Sequence, residues 1–144
     1  MKAAASDRLV LDASVTLAWC FADESTAYAE AVLDLLATGA EAIAPSVWPL
    51  EVANALLVGE RRKRATSAEV TAVLKRIRDL PISIDPIRVD NAFGPIRFIA
   101  RREQLSEYDA SYIELALREA LPLATLDDRL RHAARSAGVP MLKV

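Results

Sequence analysis

Four carboxylates in this 144-residue sequence stand where a solubilising acid is not expected. Asp12 closes the apolar run Leu9-Val10-Leu11. Glu51 lies in the first turn of the most apolar helical segment, with Asn54 one turn further along the same side. Asp109 falls four residues before Ile113, on the apolar stripe formed by Tyr112, Ile113, Ala116, Leu117, Ala120 and Leu121. Asp127, with Asp128 beside it, follows the short run Leu123-Ala124-Thr125. Each has an ordinary structural explanation. Asp12 can cap the next helix, Glu51 can complement a helix dipole, and Asp109 can close a capping box with Ser106. For the last pair, Thr125 can cap the following helix with Asp128 at its third position, which leaves Asp127 with no capping role. Taken together, the four need independent coincidences of placement.

Convergence of the four would carry a chemical consequence. Two carboxylates about 5 Å apart at an effective dielectric of about 20 repel by roughly 3 kcal/mol. Several such pairs raise one another's pKa values unless a cation lies among them. An all-oxygen donor set, with no cysteine pair and no placed histidine, selects Mg²⁺ or Mn²⁺ over Zn²⁺. A divalent ion so held typically works on phosphate, activating water for an in-line displacement.

The elements that must position these groups alternate. Strand-like runs at 9–11, 42–44, 82–84, 123–125 and 141–142 are separated by segments of helical period. Helices are expected over 15–21, 26–37, 46–61 (Ser46 as N-cap, Pro49 in the first turn), 66–80, 89–102, 107–121 and 127–137. The helix ending near Arg61 is apolar on nearly every side and is expected to be buried. The alternation predicts an α/β fold, a three-layer α/β/α sandwich on a mainly parallel sheet of four to five short strands. Residues 1–144 read as a single domain, without repeat or linker.

Composition bounds the class. Hydrophobic residues make up 53% and charged residues 26%, which excludes a disordered chain. The net charge of −2 offers no overall basic field, although 14 of the 18 basic residues are Arg, the better phosphate fork. Glu60-Arg61-Arg62-Lys63-Arg64 is the one strong basic run, either a solvated helix end or a phosphate-gripping edge of an RNA groove. Arg101-Arg102 and Arg129 with Arg131 are candidates to extend it. Cys20 is the single cysteine, so an internal disulfide is impossible and a reduced, cytoplasmic setting is expected. No apolar run suits a membrane span, and Met1 to Asp7 is too short and polar for a signal peptide. His132 stands alone and reads as a surface residue. Trp19, Trp48 and the tyrosines read as core or dimer contacts.

Leu9-Val10-Leu11-Asp12-Ala13-Ser14 with Leu17-Ala18-Trp19, Pro49-Leu50-Glu51-Val52-Ala53-Asn54-Ala55-Leu56, Leu105-Ser106-Glu107-Tyr108-Asp109-Ala110-Ser111-Tyr112 and Leu123-Ala124-Thr125-Leu126-Asp127 follow one another in order. This ordered set resembles the four acidic motifs of PIN-domain ribonucleases, specifically the bacterial VapC-type toxins. The resemblance implies a metal site of Asp12, Glu51, Asp109 and Asp127, with Ser14 and Thr125 as hydroxyl neighbours and Asp128 as the alternative to Asp127. It also implies an endoribonuclease that uses Mg²⁺, with Mn²⁺ as substitute, to activate water against RNA phosphodiesters. A structured tRNA or rRNA substrate, a VapB-type antitoxin and a homodimer follow from the same resemblance. Two other readings are a receiver- or phosphatase-like phosphoryl-transfer domain and a catalytically silent PIN-fold binding module. Asp12-Ala13-Ser14 lacks the Asp-x-Asp of the phosphatases, and the intact acidic positions speak against a silent module.

Overall fold

A computed structural model describes residues 7–144. Most of the Met1–Asp7 segment, expected not to be a signal peptide, therefore lies outside the described residues. Strand β1 (Arg8–Leu11) is buried along Leu9, Val10 and Leu11 because it is flanked on both edges. β2 (Glu41–Pro45), β3 (Ile82–Asp85) and β4 (Leu123–Ala124) complete a sheet of order β3-β2-β1-β4. Every pairing is parallel, with Leu9 opposite Ala42, Leu11 opposite Ala124 and Ala44 opposite Ile84. An unbroken apolar run suits a strand that meets protein on both faces. The chain steps outward from β1 to β2 and β3, then returns to β4 on the other side of β1. Strand order thus reverses between β1 and β4, the kind of crevice in which open parallel sheets bind ligands. Asp12 and Thr125 are the residues that leave those two strands.

The expected fifth strand is reduced to a single bridge, Met141 to Leu123. The Tyr28 hydroxyl fastens this end by donating to the Leu142 carbonyl at 2.9 Å.

The helices are α1 (Ala13–Cys20), α2 (Ala27–Ala37), α3 (Trp48–Arg61), α4 (Ser67–Arg78), α5 (Val89–Phe93), α6 (Pro95–Glu103), α7 (Glu107–Glu119) and α8 (Asp128–Ser136). Thr66 and Glu69 make both halves of the expected capping box on α4. The single helix expected over 89–102 is instead two. Its break is at Gly94, where a Cβ would lie 2.8 Å from the Asp90 carbonyl oxygen. Ser46 does not cap α3. Val47 occupies the N-cap, and the Ser46 hydroxyl accepts from the Ile87 amide at 3.1 Å, tying β2's exit to β3's. Nor is α3 buried all round: Val52, Leu56 and Gly59 face inward while Leu50 is 74% exposed. A Cβ on Gly59 would meet the Phe21 ring at 2.7 Å, so only glycine permits this close approach. The Trp48 indole N–H donates to the buried Thr16 hydroxyl at 3.1 Å and locks α3 onto α1. That contact sets where Glu51, three residues on, is presented.

α7 contributes Ala110, Tyr112, Ile113, Leu115 and Ala116 to the core and packs on β1, β2 and β4. No helix of the described residues is long and apolar enough to cross a membrane.

Candidate active site

The β1–β4 crevice is organised by two hydroxyls. Asp12 occupies the N-cap position of α1, yet its side chain makes no cap hydrogen bond. Its Oδ2 instead accepts from Ser14 Oγ at 2.5 Å and Thr125 Oγ1 at 2.8 Å. Those hydroxyls are themselves oriented from the β4–α8 loop. The Leu126 amide donates to Ser14 Oγ at 2.9 Å, and the Asp127 amide donates to Thr125 Oγ1 at 3.0 Å. A hydroxyl has one proton, and here both protons are spent on the same carboxylate oxygen. The Asp12 amide donates to the Ala124 carbonyl at 3.0 Å, which continues the sheet ladder to the edge of the site. Burial raises the Asp12 carboxyl above its ordinary range, Ser14 and Thr125 oppose the rise, and the Asp109 charge adds to it.

Glu51 reaches in from the first turn of α3, and its Oε1 accepts from the Tyr112 hydroxyl at 2.5 Å. Burial raises its pKa against that hydrogen bond, and the charges of Asp12 and Asp109 raise it further. Asp109 stands in the first turn of α7. Its amide donates to Ser106 Oγ at 3.1 Å, but its carboxylate does not close a capping box and is left to face the crevice. Burial raises it most, the Asp127 charge adds to the rise, and Arg129 lowers it. The mutual charge effects link all four predicted carboxylates into one electrostatic group.

Three expectations need correction. Asp127 does cap a helix, because its Oδ1 accepts from the Arg129 and Leu130 amides at 2.9 and 3.0 Å, making it the N-cap of α8. Thr125 is therefore released from capping and serves Asp12. Asp128 points outward, its side chain 92% exposed and paired with Arg131. Asn54 is exposed and outside the network. Only Asp12 of the four acids is buried, with Glu51 and Asp109 half-buried and Asp127 exposed.

Among the described residues, none of the four carboxylates forms an ion pair with Lys, Arg or His. Nor, among them, do three His, Cys, Asp or Glu side chains close tightly enough to grip a metal ion directly. The donor set fits a hard divalent cation that keeps several of its waters, as Mg²⁺ does, better than an all-protein cage. A depression of about 690 Å³ between Phe21 and α4 holds none of the four acids.

The PIN domain family profile matches residues 9–136. The chain belongs to the PIN domain family. Among curated proteins, none matches the sequence closely enough to count as a relative. Solved structures show the same PIN fold. PAE2754 from Pyrobaculum aerophilum superposes with a TM-score of 0.64 at 22% identity, over 89% of this chain and 80% of that one. VapBC2 from Rickettsia felis, bound to a DNA fragment from their promoter, gives 0.65 at 14% identity, over 94% and 97%. VapC20 from Mycobacterium tuberculosis, a toxin that cleaves the sarcin–ricin loop, gives 0.66 at 14% identity, over 94% and 99%.

Within this PIN fold the basic run is not beside the acids. Glu51 opens α3 and Arg61 ends it, a separation of about 15 Å along the axis. Arg64 is committed elsewhere, paired with Asp23 and Glu24 at 2.8 and 3.0 Å and stacked 4.0 Å from the Phe21 ring centroid. Arg61, Arg62 and Lys63 remain exposed. Cys20 is free, and burial pushes its thiol up to about 11, so it is a poor nucleophile.

Two residues near the site carry roles that residue order does not announce. Tyr112 lies on the apolar stripe, where a phenolic hydroxyl at zero exposure needs a partner, and Glu51 is that partner. Arg129 lies near enough to Asp109 for its charge to lower that carboxyl, and it donates from Nη2 to the Gln104 carbonyl at 2.8 Å. Residue order offers Arg129 only as a candidate extension of the basic run, not as a neighbour of Asp109.

Proposed function

We propose that this protein is a divalent-metal-dependent endoribonuclease of the VapC type, the toxin of a toxin–antitoxin pair. The observation that carries the reading is the gathering of Asp12, Glu51, Asp109 and Asp127 at the β1–β4 crevice, none of them in an ion pair among the described residues. Membership of the PIN family supports it. So does the fold shared with a sarcin–ricin loop-cleaving toxin and with a VapBC complex.

Asp12, Glu51, Asp109 and Asp127 would hold Mg²⁺ or Mn²⁺, directly or through water. When bound, the ion supplies Lewis-acid stabilisation of phosphodiester oxygens and lowers the pKa of water. The chain's own residues do the rest. Ser14 and Thr125 fix the rotamer of Asp12 and keep Oδ2 an acceptor. Tyr112 holds Glu51 at the mouth of the crevice, where its longer arm is the candidate to accept a proton from attacking water. Arg129 offers a positive charge beside Asp109. A VapB-type antitoxin, a homodimeric state, a tRNA or rRNA substrate and a cytoplasmic location belong to the same reading.

Asp12→Ala tests it. Purified wild type is expected to cut RNA only with Mg²⁺ or Mn²⁺, and the folded variant to lose more than about 100-fold of that activity. Cleavage that survives the substitution in highly purified protein would sink the assignment.

A further inference from the structure

Three of the four crevice carboxylates take their protein hydrogen bonds on one oxygen only. Asp12 Oδ2 takes the Ser14 and Thr125 hydroxyls, and Asp127 Oδ1 takes the Arg129 and Leu130 amides. Glu51 Oε1 takes the Tyr112 hydroxyl. Among the described residues the Asp109 carboxylate takes none. For the two short acids, a pair of donors fills the lone pairs of the engaged oxygen. Glu51 differs. Its arm is one methylene longer, it is half-buried, and a single side chain restrains it.

That side chain is not explained by packing. Tyr112 is fully buried on the apolar stripe of α7, where phenylalanine fills the same place without a hydroxyl to satisfy. An ionised carboxylate only accepts, so the phenol spends its one proton on Glu51, at 2.5 Å. Asp109 stands one turn earlier on the same helix. α7 thus delivers one acid of the crevice together with the hydroxyl that restrains another, which comes from α3.

Divalent ions differ in what they ask of such a group. Ca²⁺ takes about six to eight oxygens, often two of them from a single Glu. Mg²⁺ demands a near-ideal octahedron and keeps several waters, and Mn²⁺ accepts the same six-oxygen set. With Oε1 held by the phenol, Glu51 has one oxygen to give. The crevice is then short of the paired oxygens that a larger ion collects.

Resting on the metal-dependent reading above, we propose that Tyr112 is a specificity-determining residue for the cation. By reserving Oε1 it confines Glu51 to a one-oxygen contact, so that the crevice takes a small octahedral ion and discriminates against Ca²⁺.

The test reads binding and does not depend on cleavage. Full-length protein is stripped with EDTA, dialysed, and titrated calorimetrically with Mn²⁺ and separately with Ca²⁺. The readout is the ratio of the two dissociation constants, which a merely structural loss leaves alone because it weakens both ions alike. Wild type is expected to bind Mn²⁺ at least about tenfold more tightly than Ca²⁺. Tyr112→Phe is expected to lose about tenfold in Mn²⁺ affinity and far less in Ca²⁺ affinity, so that the ratio narrows at least about fivefold. In a Glu51→Gln background the same substitution is expected to leave the ratio unmoved. Far-UV circular dichroism checks that each variant is folded. A wild type that binds Ca²⁺ as tightly as Mn²⁺ overturns the proposal without recourse to any variant. A folded Tyr112→Phe with the wild-type ratio also overturns it, and leaves the metal site standing. A wild type that binds neither ion removes the proposal and the metal-dependent reading together. A wild type whose preference depends on Tyr112 but that cuts no RNA upholds the proposal and removes the nuclease.

Discussion

Two acidic groups share helix α7 and are treated in opposite ways. Toward its C-terminal end Glu114 is buried, and Arg118 meets it at 2.9 Å. The same guanidinium also reaches Asp85 at 2.8 Å and Glu119 at 3.7 Å. Three carboxylates there surround one arginine, whose pKa is driven upward by Glu114 and then Asp85. At the N-terminal end, Asp109 belongs to a group of four acids with no such partner among the described residues. The fold can therefore neutralise clustered acids where the cluster is structural. It leaves the β1–β4 crevice without a paired cation, which costs stability unless, as proposed above, a cation from solution completes the group.

The contrast can be probed from each side. The largest effect is expected at the hydroxyls that orient Asp12. Thr125→Val keeps the shape but leaves Asp12 Oδ2 with one donor fewer, and metal-dependent RNA cleavage is expected to fall about 10- to 100-fold in an initial-rate assay. A smaller effect, and on stability alone, is expected at the neutralised cluster. Arg118→Met leaves Glu114 buried without its partner and is expected to cost about 1–3 kcal/mol in urea unfolding. That range is below the usual penalty for a broken buried pair because Arg118 is 38% exposed. Cleavage per folded molecule is expected to be unchanged. Loss of activity without loss of stability in Arg118→Met would erase the distinction between the two clusters.

Much of this arrangement is legible from residue order because its logic is local to strand ends. The apolar run before Asp12 and the short strand before Thr125 predict two parallel strands, and the sheet order places both exits at the switch point. Asp109 is legible from its step on the α7 stripe. Residue order misleads where one side chain has two possible partners. Thr125 and Asp127 each offer a cap to α8, and local spacing does not reveal that Asp12, 113 residues earlier in the chain, claims the Thr125 hydroxyl. Ser46 has the spacing of a cap for its own helix but is used by Ile87 across the β2–β3 edge. The Tyr112–Glu51 and Arg118–Asp85 contacts join distant segments and leave no periodic trace. The basic run beginning at Arg61 is visible, but its distance from Glu51 depends on α3 running straight through to Arg61.

The most direct measurement is the thermal stability of wild type against Asp12→Asn, in EDTA and in Mn²⁺, across pH. The carboxyls of Asp12, Glu51 and Asp109 are held above their ordinary values of 3.8, 4.5 and 3.8, chiefly by burial. The folded chain therefore binds protons more readily than the unfolded one. The resulting penalty is complete above the raised values and gone below the ordinary ones. Without metal at neutral pH, Asp12→Asn is expected to melt about 2–5 °C above wild type, and the gap is expected to shrink as pH falls. Saturating Mn²⁺ is expected to raise the wild type by several degrees, close or reverse the gap, and leave the variant nearly unmoved. A variant that melts below wild type in EDTA, together with a wild type indifferent to Mn²⁺, would contradict a crevice built to receive a divalent cation.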